Sequence, residues 1–105
     1  MSNKYSKALP RQWKGLSEVF TALGDEHRQR ILLMFERGEE LTIKAIAEQV
    51  PLSRTAVTHH IRALRNAGVL TAEKRGKEVY LRPDPKRVLD AIEGLRSYIQ
   101  AEYGQ

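Results

Sequence analysis

A chain of 105 residues with 41% hydrophobic and 30% charged side chains has the size and composition of one soluble globular domain, not of a disordered segment. Its 18 Lys/Arg outnumber 13 Asp/Glu to give a formal charge of +5, which favours an anionic partner, either nucleic acid or a membrane surface. The absence of cysteine excludes disulfides, thiolate zinc sites, iron–sulfur clusters and cysteine redox sensing, and no apolar run reaches the ~20 residues of a membrane span. Residues 1–7 carry no apolar segment behind them, so no secretory signal is expected and the expected location is cytoplasmic.

Residues 1–11 form a basic tail, with Lys4, Lys7 and Arg11 (and Lys14 just beyond) and no acid; they read as a solvated tail or as an arm reaching for phosphate. From about Gln12 to Leu23, the spacing of Trp13, Leu16, Val19, Phe20 and Leu23 predicts an amphipathic helix that ends at Gly24. Asp25 is a suitable N-cap for a second helix, with Glu26 in its first turn and Ile31, Leu32, Met34 and Phe35 inward; Gly38 is expected to stop it. Thr42 caps a short third helix with Ile43, Ala45, Ile46, Ala47 and Val50 inward, closed by Pro51.

Ser53 caps the fourth helix. At ~100° per residue, Ile61 and Leu64 fall within ~40° of Val57 and define its core side. Arg54, Thr55, Thr58, His59, Arg62 and Arg65 gather on the other side, while His60 borders the core stripe as a packed histidine. Gly68 breaks the helix. Residues 69–73 and 78–82 then alternate like two strands around a Lys74-Arg75-Gly76-Lys77 turn in which Gly76 can take a positive φ. After Pro83, Asp84 caps a last helix with Pro85 in its first turn and an apolar stripe of Val88, Leu89, Ile92, Leu95 and Ile99, with Ala91 and Tyr98.

The expected fold is mainly α with a small β-hairpin: four helices, two strands and a final helix in a single domain over residues 1–105. Residues 42–67 read as a helix-turn-helix, whose second helix enters the major groove, and residues 69–82 as a wing reaching backbone or minor groove. Between Ser53 and Lys77, six cations (Arg54, Arg62, Arg65, Lys74, Arg75, Lys77) face one acid, Glu73, an excess equal to the formal +5 of the whole chain. Cations beside hydroxyl and imidazole groups suit phosphate gripping and base-edge reading. No nucleophile–base pair, paired carboxylate cluster or glycine-rich phosphate loop stands out, so no enzyme, cofactor or metal site is expected, and His27 reads as a surface or capping residue.

Three segments resemble the arsenic-repressor-type (ArsR/SmtB) winged-helix repressors: FTALGDEHRQRIL at residues 20–32, LSRTAVTHHIRALRNAGVL at 52–70 and RGKEVYL at 75–81. They are similar to that family's helix opening, recognition helix and wing, and the resemblance spans roughly residues 16–100. It implies a homodimeric transcriptional repressor whose first and last helices pack across a two-fold axis, the last over residues 84–103. The corresponding dimer residues are Trp13, Leu16, Phe20, Val88, Ile92, Leu95, Tyr98 and Ile99. Ser53, Arg54, Thr55, Thr58, His59, Arg62, Arg65, Lys74, Arg75 and Lys77 would contact double-stranded DNA at a pseudo-palindromic operator.

The sequence departs from the family where its metal and thiol sensors sit. Residues 41–47 (LTIKAIA) lack the Cys-x-Cys pair of metal-sensing members. The last-helix ligand positions correspond to Asp84, Lys86, Ser97 and Gln100, of which only Asp84 is a ligand type. The expectation is therefore a regulator without metal or thiol sensing, and the sequence names no small-molecule inducer. The alternative is a winged-helix interaction module whose basic face docks an acidic protein.

Overall fold

The computed structural model describes residues 5–104. Lys4, the first cation of the basic tail, lies outside the described residues, whereas Lys7, Arg11 and Lys14 are exposed. The elements are α1 (Arg11–Leu23), α2 (Glu26–Leu33), β1 (Leu41–Thr42), α3 (Ile43–Gln49), α4 (Arg54–Asn66), β2 (Leu70–Arg75), β3 (Glu78–Pro83) and α5 (Pro85–Tyr103).

The caps explain the helix starts. Asp25 accepts from the His27 and Arg28 amides, Thr42 from Ala45, Ser53 from Ala56 and Asp84 from Arg87, so each helix from α2 to α5 begins with a satisfied amide donor. Val50, just before Pro51, is extended and ends α3. One expected stop is corrected: α2 ends at Leu33 with Met34 as its cap, and Gly38 belongs to a separate turn in which Glu39 N–H donates to Glu36 C=O.

Two strands were expected and three are present among the described residues. Leu41 and Thr42 pair antiparallel with Leu81 and Tyr80, giving a sheet of order β1-β3-β2. This two-residue strand is too short to show an alternation, and Thr42 serves both as its end and as the α3 cap. The β2–β3 hairpin runs from Leu70↔Pro83 to Arg75↔Glu78, so Lys74 and Arg75 are strand residues and the loop is Gly76-Lys77. Only Gly76 in that loop has positive φ (63°), as a II′ hairpin turn requires.

The core joins every layer. Val19 of α1, Ile31 of α2, Ile46 of α3, Val57, Ile61 and Leu64 of α4, and Leu70 and Leu81 of the sheet are fully buried. Leu16, expected at a dimer seam, is instead core within the single chain at 6% exposure. It sits on the α1 face that packs against α5, 3.7 Å from where a Cβ on Gly94 would lie. Trp13 and Tyr98 stack edge-to-face across the same α1–α5 contact, their centroids 5.1 Å apart.

The C-terminus of α4 closes as a Schellman motif. Val69 N–H donates to Leu64 C=O at 2.9 Å, and Gly68 N–H donates to Arg65 C=O at 3.0 Å, with Gly68 at φ +79°. A Cβ there would also lie 3.2 Å from Arg87 Nε. Gly68→Ala is therefore expected to destabilise the protein by about 1–2 kcal/mol from the left-handed backbone alone. Urea unfolding should show a lower midpoint at unchanged slope, and an unmoved midpoint would refute the strain.

Candidate nucleic-acid interface

α3 and α4 are two helices joined by a turn over residues 50–53. Because Val57, Ile61 and Leu64 are buried, α4 is fixed in rotation and must turn its opposite arc to solvent. On that arc Arg54, Thr55, His59, Arg62 and Arg65 are exposed and Thr58 is half-buried. Arg54, Thr55, Thr58, His59 and Arg62 together line a shallow depression of about 300 Å³. The structure thus brings the sequence-predicted helix residues onto one surface, with the Ser53 side chain held at its start by the cap to the Ala56 amide.

Among the described residues, Arg54, Arg62, Arg65, Lys74 and Lys77 form no ion pair with a carboxylate. Lys74 and Lys77 are exposed beside the hairpin turn. Arg75 differs. The wing arginine expected to grip phosphate is turned back to Glu40, with Nη1 donating to Oε1 at 3.0 Å and Nη2 to Oε2 at 2.8 Å. It also donates to Glu73 at 2.8 Å and lies 4.6 Å over the Tyr80 ring. Arg82 donates to the same Glu40 at 2.9 Å. Arg75, then Arg82, hold the Glu40 carboxyl below its ordinary range, and Arg75 does the same to Glu73.

Glu40 and Arg82 escaped the sequence reading because their partners lie 35 and 42 residues from Glu40, and no local spacing encodes that pairing. Arg28 is a second omission. Its Nε donates to His60 Nδ1 at 3.2 Å, so His60 is the packed, satisfied histidine that its border position predicts. Burial pushes the His60 pKa down, Arg28, His27 and His59 push the same way, and Asp25, 4.0 Å off, opposes them. The three histidine rings form a chain, His27–His60 at 5.6 Å and His59–His60 at 5.8 Å between centroids. Among the described residues no group of three His, Asp or Glu is arranged to hold a metal ion, and no helix is long and apolar enough to cross a membrane.

A family model described as a helix-turn-helix domain matches residues 23–73, from the end of α1 into β2. The chain is 32% identical over 92 residues to the cadmium resistance transcriptional regulatory protein CadC homolog of Staphylococcus aureus, covering 87% of this chain and 76% of that protein. It is 27% identical over 84 residues to the transcriptional repressor SdpR of Bacillus subtilis (strain 168), covering 80% and 92%. Among solved structures, an ArsR-like transcriptional regulator from Rhodococcus sp. RHA1 superposes with TM-score 0.76 at 30% identity, covering 88% of this chain and 85% of that one. A homodimeric winged helix-turn-helix DNA-binding domain from Mycobacterium bovis shares the fold, with TM-score 0.69 at 19% identity over 100% and 96% of the two chains.

The His60 environment sets a pH dependence. Its folded pKa lies below the ordinary 6.5, so the unfolded chain takes up the proton first. The stability held above that value is lost as pH falls through the folded pKa. Urea midpoints should therefore fall from about pH 7 to about pH 5 more steeply for the wild type than for His60→Gln, which keeps an acceptor for Arg28. Parallel curves would remove His60 from the account.

Proposed function

The chain belongs to the ArsR family of helix-turn-helix transcriptional regulators, and on that premise we propose that it is a homodimeric repressor reading a pseudo-palindromic operator in double-stranded DNA. The observation that carries the reading is the exposed arc of α4. It presents arginines, hydroxyls and an imidazole on one surface, beside a hairpin with two lysines, and among the described residues none of these cations is paired with a carboxylate.

Roles follow from chemistry. Arg54 and Arg62 have the fork that pairs with guanine O6 and N7; Thr55 and Thr58 offer hydroxyls to phosphate and methyls to thymine; His59 lies on the same arc. Ser53 is committed to its cap and positions the N-terminus of α4. Arg65, farther along the helix, and Lys74 and Lys77 of the wing act on backbone phosphate, with Arg75 taking a different part. The regulator would act in the cytoplasm, where such DNA is found.

The dimer reading rests on α5. At ~100° per residue, Tyr98, Leu95 and Val88 lie within ~60° of buried Ala91; Leu95 and Val88 pack against the chain's own core and Tyr98 against Trp13. Ile99, Ile92, Tyr103 and Leu89 continue the apolar arc from ~80° to ~160° and are exposed. Phe20 of α1 is exposed too. An apolar arc this wide has more face than its own chain covers, and a second copy would cover the rest. Of the residues expected there, Phe20, Ile92 and Ile99 fit directly, Val88, Leu95, Trp13 and Tyr98 only by their exposed edges, and Leu16 not at all.

Binding to duplexes carrying the DNA that flanks the protein's own gene should exceed binding to random duplex and fall steeply with salt. Arg54→Ala and Thr58→Ala should narrow that preference, by about 1–3 kcal/mol for a good base contact, while Lys77→Ala weakens all sequences alike and lowers the salt slope by about 0.9 per lost contact. Binding without salt dependence or sequence preference would overturn the reading, and nuclease-resistant capture of an acidic protein would replace it. Ile92→Glu should shift the sedimenting species from dimer to monomer.

A further inference from the structure

Along one face of the hairpin, four charged side chains close on one another. Glu40, in the loop ahead of β1, holds both ends of the Arg75 guanidinium and one nitrogen of Arg82. Glu73 takes the same Arg75 Nη2, and Tyr80 lies beneath the guanidinium. The group holds two cations and two anions. It links the hairpin to the loop between α2 and β1, and the Glu40 side chain is only 23% exposed. Arg75 pairs across the hairpin with Glu78 immediately beside the Gly76-Lys77 loop, so a free Arg75 would stand among Lys74 and Lys77 at the tip.

Arginine on a freely moving strand end grips phosphate in any register, whereas a cation fixed relative to α4 meets phosphate only when α4 is correctly seated. Phosphate affinity carries no sequence information of its own, so unrestrained cations favour wrong sites. We propose that Glu40 is a specificity-determining positioning residue. By clamping Arg75 and Arg82 it fixes the wing against the helix-turn-helix and withholds both arginines from phosphate. The proposal rests on the DNA-binding reading above and deepens it.

The test is a salt titration of the full chain on two duplexes of equal length, one selected by the protein from a random pool and one random. Glu40→Gln is expected to bind random duplex more tightly, with a log–log salt slope steeper by about 0.9 for each arginine released, and to lower the selected-to-random ratio. Glu40→Asp, which keeps the carboxylate, should restore much of the wild-type ratio. Adding Arg75→Gln to Glu40→Gln should bring the slope back toward wild type.

Glu73→Gln removes an equal charge nearer the tip but leaves the two-pronged Glu40 clamp. A slope change as large as that of Glu40→Gln would mean that charge alone is at work and would overturn the proposal. An unchanged slope in Glu40→Gln would overturn it as well. Thermal melts report whether each variant is folded. Should Glu40→Gln not fold, Arg75→Gln alone decides: the wild-type slope on random duplex supports withholding, and a slope shallower by about 0.9 refutes it. A wild type that binds neither duplex defeats the DNA-binding reading together with this one, whereas a binding wild type with an insensitive Glu40 defeats this one only.

Discussion

The C-terminus of α4 is the joint from which the rest of the molecule is aimed. Three of the carbonyls at its end accept hydrogen bonds from outside the helix: Leu64 from Val69, Arg65 from Gly68, and Ala67 from Arg87 Nε at 3.0 Å. Arg87 also brings a positive charge to the negative end of the helix dipole and approaches Glu18 of α1 at 3.8 Å. Its guanidinium lies so close to Gly15 and Gly68 that a Cβ on either would meet it at 3.2–3.3 Å. With Asp84 N–H donating to Val69 C=O at 2.8 Å, α1, α4, β2 and α5 meet at one junction. α4 therefore cannot rotate without moving the hairpin and α5 with it.

That junction was only partly legible in the sequence. Local chemistry was plain: Asp25, Thr42, Ser53 and Asp84 announce helix starts, and Gly68 announces a stop, because each acts within a few residues of itself. The exposed polar arc of α4 was legible for the same reason, since Val57, Ile61 and Leu64 fix the helix rotation and leave that arc outside. What sequence did not show is long-range. Arg87 reaching Ala67, Arg28 reaching His60 and Glu40 reaching Arg75 and Arg82 all depend on the tertiary path. β1 was missed because two residues have no period.

The same distinction reorganises the charge. Counted along the chain, the excess over residues 53–77 equals the whole formal charge of +5, and all six cations count alike. In three dimensions they separate. Arg75 is tied down by two carboxylates, while among the described residues the arginines of α4 and the two wing lysines have no carboxylate partner. The pairs are surface pairs and contribute little to stability one by one, so their consequence lies in where cations can go. A wing with fewer mobile cations than its composition suggests has a weaker indiscriminate grip on phosphate.

The two faces of α5 give this rigidity a purpose in the proposed dimer. One face packs on the chain's own core through Ala91 and Leu95 and on Trp13 through Tyr98; the other, through Ile92, Ile99 and Leu89, is exposed and would meet the second copy of the proposed dimer. Since α5 starts at the joint that ends α4, seating two α5 helices against each other would also set the separation and tilt of two α4 helices. Two recognition helices read one face of B-DNA only when spaced about 34–36 Å apart, one helical turn, or a multiple of it. A flexible joint would let each head find phosphate independently of the other. A stiff one makes the second head's fit depend on the first, and sequence preference then grows out of the spacing as well as the contacts.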